Sequence, residues 1–127
     1  MKVAIDTNRY RDLVDGDAEV VAFLEQAEEI AMPFVVLAEF RAGFAVGKHG
    51  RANERALRRF LSKPGVEVLY AGEATTRSYS SLYRQLRLQG KPIPTNDLWI
   101  AALVVEHTLA LYTREAHFEL LPQLMLV

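Results

Sequence analysis

The sequence predicts an α/β fold in which a parallel sheet carries helices on both faces. Short apolar runs of strand length alternate with longer amphipathic segments along the whole chain. One segment, Asn96–His107, is apolar nearly all round, as a central, buried helix should be. The chain has 127 residues, 50% hydrophobic and 24% charged, which suits one globular domain over 1–127 with a single core.

Lys2–Ile5 is expected to be the first strand, followed by a turn region containing Asp12, Asp15, Gly16 and Asp17. Asp17 is placed to cap a helix to about Glu28, with Val20, Val21, Phe23, Leu24 and Ala27 inside. Ile30–Met32 reads as an interior strand. Pro33 then falls where a first helical turn tolerates proline, and the helix from about Phe34 ends near Gly47. A helix from about Arg51 to Ser62 stops before Pro64-Gly65, and Val66–Tyr70 is the next strand.

Glu73–Gln89 is expected to be helical, with Tyr79, Leu82, Tyr83 and Leu86 on one face. Arg77, Ser80, Ser81, Arg84 and Arg87 recur on the other, and Gly90 ends the helix. Thr95 is placed as the N-cap of the apolar helix. Leu109–Tyr112 is a strand, Glu115–Leu121 a short helical turn, and Leu124–Val127 a closing edge strand.

Composition narrows the function. There is no cysteine, which excludes disulfides and thiolate metal sites and fits a reducing compartment. The apolar runs Ile30–Ala38 and Leu98–Val105 fall well short of the roughly 18 residues of a membrane span. Asp6 and Arg9 interrupt any signal-peptide apolar region, so a cytoplasmic protein is expected. The formal net charge of −1 argues against strong non-specific nucleic-acid binding. Within that balance lysine occurs only at 2, 48, 63 and 91, so arginine, the better bidentate phosphate ligand, carries most of the positive charge.

In open α/β sheets ligands bind beyond the carboxyl ends of the strands. Four acids fall there. Asp6 directly follows the first strand, where it suits either a turn and cap or a ligand. Glu39 has Val35, Val36, Ala42 and Gly43 as its helical neighbours, a face that offers an acid no partner. Asp97 opens the most apolar helix, where the helix dipole favours an acid. Glu115 follows the Leu109–Tyr112 strand, behind Thr113. If these acids converge, they form an oxygen-rich site of the kind Mg²⁺ prefers, able to orient water against a phosphodiester. His117 lies near this group and suits an exposed turn histidine or a phosphate contact. Trp99 suits the core, and the Arg77, Arg84 and Arg87 stripe a solvated face or an RNA contact.

Four stretches in this order and spacing resemble the PIN domain, and more narrowly its VapC-type toxins: "VAIDTN", "MPFVVLAEFRAG", "IPTNDLWIAA" and "LYTREAHFELLPQL". The resemblance covers nearly the whole chain. It implies a three-layer α/β/α sandwich with a central parallel sheet and a Mg²⁺- or Mn²⁺-dependent endoribonuclease. It implies Asp6, Glu39 and Asp97 as metal-binding acids, Asn8 and Thr113 as supports through hydrogen bonds, and Glu115 as the fourth acid where aspartate is common. It also implies a VapB-like antitoxin partner in the groove and, usually, a homodimer. Two narrower alternatives share the fold: an RNA-processing nuclease that is not a toxin, and a non-catalytic binding module. A phosphoacceptor receiver domain fits less well, because the acid after the first strand is single and no lysine follows Lys91.

Overall fold

A computed structural model describes all 127 residues. Five parallel strands form one sheet: β1 (Lys2–Ile5), β2 (Glu29–Pro33), β3 (Val66–Leu69), β4 (Ala110–Tyr112) and β5 (Met125–Leu126). Six helices flank it in a three-layer α/β/α sandwich: α1 (Thr7–Val14), α2 (Ala18–Gln26), α3 (Phe34–Val46), α4 (Gly50–Leu61), α5 (Glu73–Leu88) and α6 (Thr95–His107). A 3₁₀ turn over Ala116–Leu120 precedes β5. No helix is long and apolar enough to cross a membrane.

The strand order is β3-β2-β1-β4-β5. The chain therefore builds outward from β1 in one direction through β2 and β3, then returns to the other side of β1 with β4 and β5. β1 and β4 meet at the reversal, the switch point where open parallel sheets bind ligands. Their register pairs Ile5 with Tyr112, so the next residues, Asp6 and Thr113, leave the sheet side by side.

Strands in such a sheet are covered on both faces and read as continuous apolar runs rather than alternating ones. Val3, Ala4 and Ile5 are accordingly all buried, and so are Ala110, Leu111 and Tyr112. They join a core of 29 buried residues to which α6 contributes Leu98, Ile100, Ala101, Ala102, Leu103 and Val104. That explains the lack of a polar face on this helix. Asp17 caps α2 as expected, accepting from the backbone N–H groups of Glu19 and Val20, each at 3.1 Å.

Several expectations need correction. The supposed turn region after β1 is mostly α1, which begins at once because Asp6 accepts from the Arg9 N–H at 2.9 Å and caps it. Tyr10, its one buried residue, packs edge-on against Phe40 at 4.7 Å and against Phe60 at 5.3 Å. Pro33 is the last residue of β2, paired with Leu69, and stands before the first turn of α3. At α6 Pro94 takes the cap position and Thr95 is the first helical residue; the proline carbonyl accepts from the Leu98 N–H at 3.0 Å and no side chain caps. The closing strand is only Met125–Leu126. On α5, Leu82 and Leu86 are buried, but Tyr83 is 48% exposed.

Phe118 is fully buried beneath the 3₁₀ turn. Phe118→Ala is expected to destabilise the protein by about 3–5 kcal/mol, as large-to-small core changes at phenylalanine do. Urea unfolding followed by circular dichroism measures this; a loss below ~1 kcal/mol would mean that the turn is not anchored through this ring.

Candidate functional site

Asp6, Glu39, Asp97 and Glu115 line one cavity of about 200 Å³ together with Thr7, Asn8 and Arg11, and no hydrophobic residue joins them. The four acids come from the end of β1, the middle of α3, the first turn of α6 and the residue opening the 3₁₀ turn. Up to 109 positions separate them in sequence, and the topology closes that distance at the switch point.

Asp6 is the most buried of them, at 3% exposure. Its Oδ1 accepts from the Arg9 amide and its Oδ2 from the Thr113 hydroxyl. Burial pushes the Asp6 carboxyl above its ordinary value of 3.8. The Thr113 and Arg9 hydrogen bonds and the Arg9 charge oppose that shift without cancelling it, and the Asp97 charge adds to it. Arg9 itself is largely enclosed. Its guanidinium lies 4.2 Å from the centroid of the Tyr112 ring, and that ring stacks on Phe23 at 4.0 Å.

Glu39 is half-buried, and both of its oxygens are held. The Thr7 hydroxyl donates to Oε2 at 3.1 Å and the Asn96 amide to Oε1 at 3.0 Å. The face of α3 offered the acid no partner, and these two come from α1 and α6. Asp97 and Glu115 meet at His117. The Nδ1 atom of His117 stands 2.8 Å from Asp97 Oδ2 and 3.2 Å from Glu115 Oε1. An ionised carboxylate only accepts, so the proton is assigned to Nδ1. Glu115 also caps its own turn, accepting from the His117 N–H at 3.3 Å.

Thr113 thus contacts an acid directly. Asn8 lines the cavity, but its side chain accepts from Arg11 Nη1 at 3.4 Å and bonds no acid. Thr7, Asn96 and His117 were not singled out as supports from sequence. Thr7 and Asn96 each adjoin a candidate acid, which is a usable signal; the two-residue offset of His117 from Glu115 is a weaker one. A further brace lies beside the site. Arg114 grips Asp12 with two bonds, Nε at 3.0 Å and Nη2 at 3.2 Å, and Arg9 Nη1 approaches the same carboxylate at 3.4 Å. The Arg114 hydrogen bonds hold the Asp12 carboxyl below the ordinary carboxylate range. This brace ties α1 to the segment carrying Thr113 and Glu115.

The cavity offers oxygens from four carboxylates, the Thr7 hydroxyl and the Asn8 amide, beside the Arg11 guanidinium, with no thiolate. It fits a hard divalent cation such as Mg²⁺ or Mn²⁺. No three of the His, Asp and Glu side chains stand close enough together to hold an ion unaided. Mg²⁺ is commonly bound through one or two carboxylates plus water and substrate oxygens, which does not require an all-protein cage.

The PIN domain model matches residues 3–123. The chain belongs to the PIN domain family. It is 28% identical over 99 residues to Ribonuclease VapC4 of Mycobacterium tuberculosis, a match covering 78% of this chain and 76% of that protein. It is 33% identical over 84 residues to Ribonuclease VapC1 of Haemophilus influenzae, spanning 66% of this chain and 61% of the relative. Among solved structures it superposes on VapBC2 of Rickettsia felis, bound to a DNA fragment from its promoter, with a TM-score of 0.88 and 27% identity over 100% of this chain and 98% of that one. VapBC-1 from nontypeable Haemophilus influenzae gives 0.89 and 26% identity over 100% and 97%. The PIN fold expected from the four sequence stretches is the fold observed.

The upward shift at Asp6 fixes the sign of a stability effect in this PIN domain. In metal-free protein the unfolded chain loses the Asp6 proton first, near pH 3.8, so stability falls as pH rises from there through the folded value. In EDTA at pH 7, Asp6→Asn is therefore expected to melt at a higher temperature than wild type. The gain should shrink as pH is lowered toward 4. Calorimetry across this range checks it, and a gain independent of pH would contradict the burial argument.

Proposed function

We propose that the chain is a divalent-metal-dependent endoribonuclease and the toxin of a toxin–antitoxin pair. The observation that carries this reading is the convergence of Asp6, Glu39, Asp97 and Glu115 on one wholly polar cavity at the switch point of the sheet. The curated relatives named above are ribonucleases, and the structural neighbours are VapBC complexes, which supports RNA as substrate and a VapB-like protein as partner. A homodimer is the assembly the family resemblance implies.

Asp6 and Asp97 would hold the cation, with Glu39 and Glu115 at its flanks. When bound, the cation supplies positive charge to offset the charge that grows on the phosphodiester during attack. The chain's own contribution is pre-orientation. Asp6 is held by Thr113 and Arg9, and Glu39 by Thr7 and Asn96, so neither carboxylate has to be ordered when substrate arrives. Asp97 Oδ1 and Glu115 Oε2 make no hydrogen bond to protein and remain available to water. In hydrolysis, water oxygen bonds to phosphorus, a carboxylate accepts the water proton, and the bond from phosphorus to the ribose oxygen breaks as that oxygen takes a proton from solvent.

Purified protein is expected to cut RNA with Mg²⁺ or Mn²⁺ and to lose that activity in EDTA. Asp97→Asn should lower the cleavage rate by about 100-fold or more, since several kcal/mol of charge stabilisation are at stake. Circular dichroism should show the variant folded. Undiminished cleavage by Asp97→Asn would reject the site, and a folded wild type that binds no Mn²⁺ would favour a non-catalytic module.

Growth separates a toxin from a processing nuclease. Expression without a partner should arrest cells, and expression of Asp97→Asn should not.

A further inference from the structure

A second cavity, of about 370 Å³, opens at the same end of α6 as the acidic one. Thr95 and Leu98, one helical turn apart, line it, while Asp97 between them lines the acidic cavity. Its other walls include Tyr79, Tyr83, Leu86 and Arg87 of α5, with Ile93 from the connection to α6. The ring of Tyr79 is braced from behind by Trp99 at 4.4 Å, and Trp99 in turn by Phe34 at 5.9 Å. Tyr83 is exposed, and its phenol accepts from Arg87 Nη1 at 3.3 Å.

The charge around this cavity is one-sided. Between Glu73 and Asp97 the chain carries Arg77, Arg84, Arg87 and Lys91 and no acid at all. Arg77 pairs with Glu73 at 3.4 Å, whereas Arg84, Arg87 and Lys91 pair with no carboxylate. The cleft beside them holds four carboxylates and repels phosphate. A polyanion that reaches the cleft must draw its attraction from cations at the flank, and this is a flank that supplies them.

We propose that the cavity at the α5–α6 junction is a nucleobase subsite. It takes one unpaired base of a single-stranded RNA whose backbone continues into the acidic cleft, with Arg87 and its neighbouring cations on the flanking phosphate. The proposal rests on the ribonuclease reading above and deepens it. The volume lies within the range of small-ligand pockets. The Tyr79 and Tyr83 rings beside Leu86, Ile93 and Leu98 suit base stacking, which tolerates any base, and the Thr95 hydroxyl provides a polar contact at the base edge. Duplex RNA keeps its bases in the stack and could not fill the cavity.

The test uses fluorescein-labelled single-stranded RNA hexanucleotides in EDTA, where binding is read without cleavage. One probe carries all its bases, and the others lack one base at successive positions. Tyr83→Ala is expected to weaken binding of the complete probe about tenfold, the scale of one base–aromatic stack. Loss of the base at one particular position should weaken wild type by a similar factor and Tyr83→Ala by little more. The single tryptophan, Trp99, stands behind Tyr79, so its fluorescence should change with the complete probe and less with that abasic one.

Equal binding by wild type and Tyr83→Ala would overturn the proposal, as would an equal loss on every abasic probe. A shift of Tyr83→Ala from dimer to monomer in sedimentation, with RNA affinity unchanged, would assign the face to a second copy of the chain and also overturn it. Failure of the ribonuclease reading is distinguishable: pocket-dependent binding without cleavage in Mn²⁺ rejects the enzyme and keeps the subsite, whereas cleavage with no Tyr83 effect does the reverse.

Discussion

The site depends on one costly placement, a carboxylate buried at the end of the central strand. Desolvating an ionised acid costs several kcal/mol even after relaxation. Asp6 recovers part of that through the Thr113 hydroxyl, the Arg9 amide and the N-terminus of α1, yet burial still outweighs them at this carboxyl. The parallel pairing of β1 with β4 makes the arrangement possible, because the Ile5–Tyr112 register sets Thr113 beside Asp6. A slip of one residue would carry Thr113 away from Asp6 and remove its donor. The sheet register is thus also the register of the candidate chemistry.

The remaining acids follow from that placement. Glu39 is out of position on α3 until α1 and α6 bring Thr7 and Asn96 to its two oxygens. Asp97 stands in the first turn of a helix packed into the core, so its backbone is anchored while its carboxylate is partly exposed. Asp6, Glu39 and Asp97 are therefore each held by an element other than their own, while Glu115 is held within its own turn by His117. Like charges lining one cavity repel, and donors offset this: Thr113 and Arg9 at Asp6, Thr7 and Asn96 at Glu39, and the His117 imidazole between Asp97 and Glu115. A divalent cation would complete the same balance.

Most of the fold was legible in the sequence because its signals are local. Four apolar strands, the capped α2 and the all-apolar α6 lie close to where periodicity put them. α1 was not legible. Between Thr7 and Val14 only Tyr10, Leu13 and Val14 are apolar, and Arg9, Arg11 and Asp12 dilute any stripe. The helix is held by a cap from Asp6 and by the grip of Arg114 on Asp12, a partner 102 residues away. The acids were legible as residues, since each breaks a local expectation of burial or follows a strand. Their supports were not. Asn8 looked like a neighbour of Asp6 but turns to Arg11, while the place of His117 two residues after Glu115 was only a weak sign that its ring would face two carboxylates.

Glu115 stands where the family resemblance implies aspartate. Glutamate adds one methylene, and a longer stem on a turn would ordinarily leave the carboxylate mobile. Here the extra length is taken up locally. The side chain folds back to accept from the His117 amide, so one oxygen is committed to capping the 3₁₀ turn while the residue still lines the acidic cavity. The His117 ring then lies against that same oxygen and against Asp97. A shorter aspartate could cap the turn, but it would retreat from the cavity by about the length it lost. The turn itself is anchored by the fully buried Phe118 and tethered through Arg114 to α1. The glutamate therefore caps the turn with one oxygen while it lines the cavity, and one side-chain conformation serves both contacts.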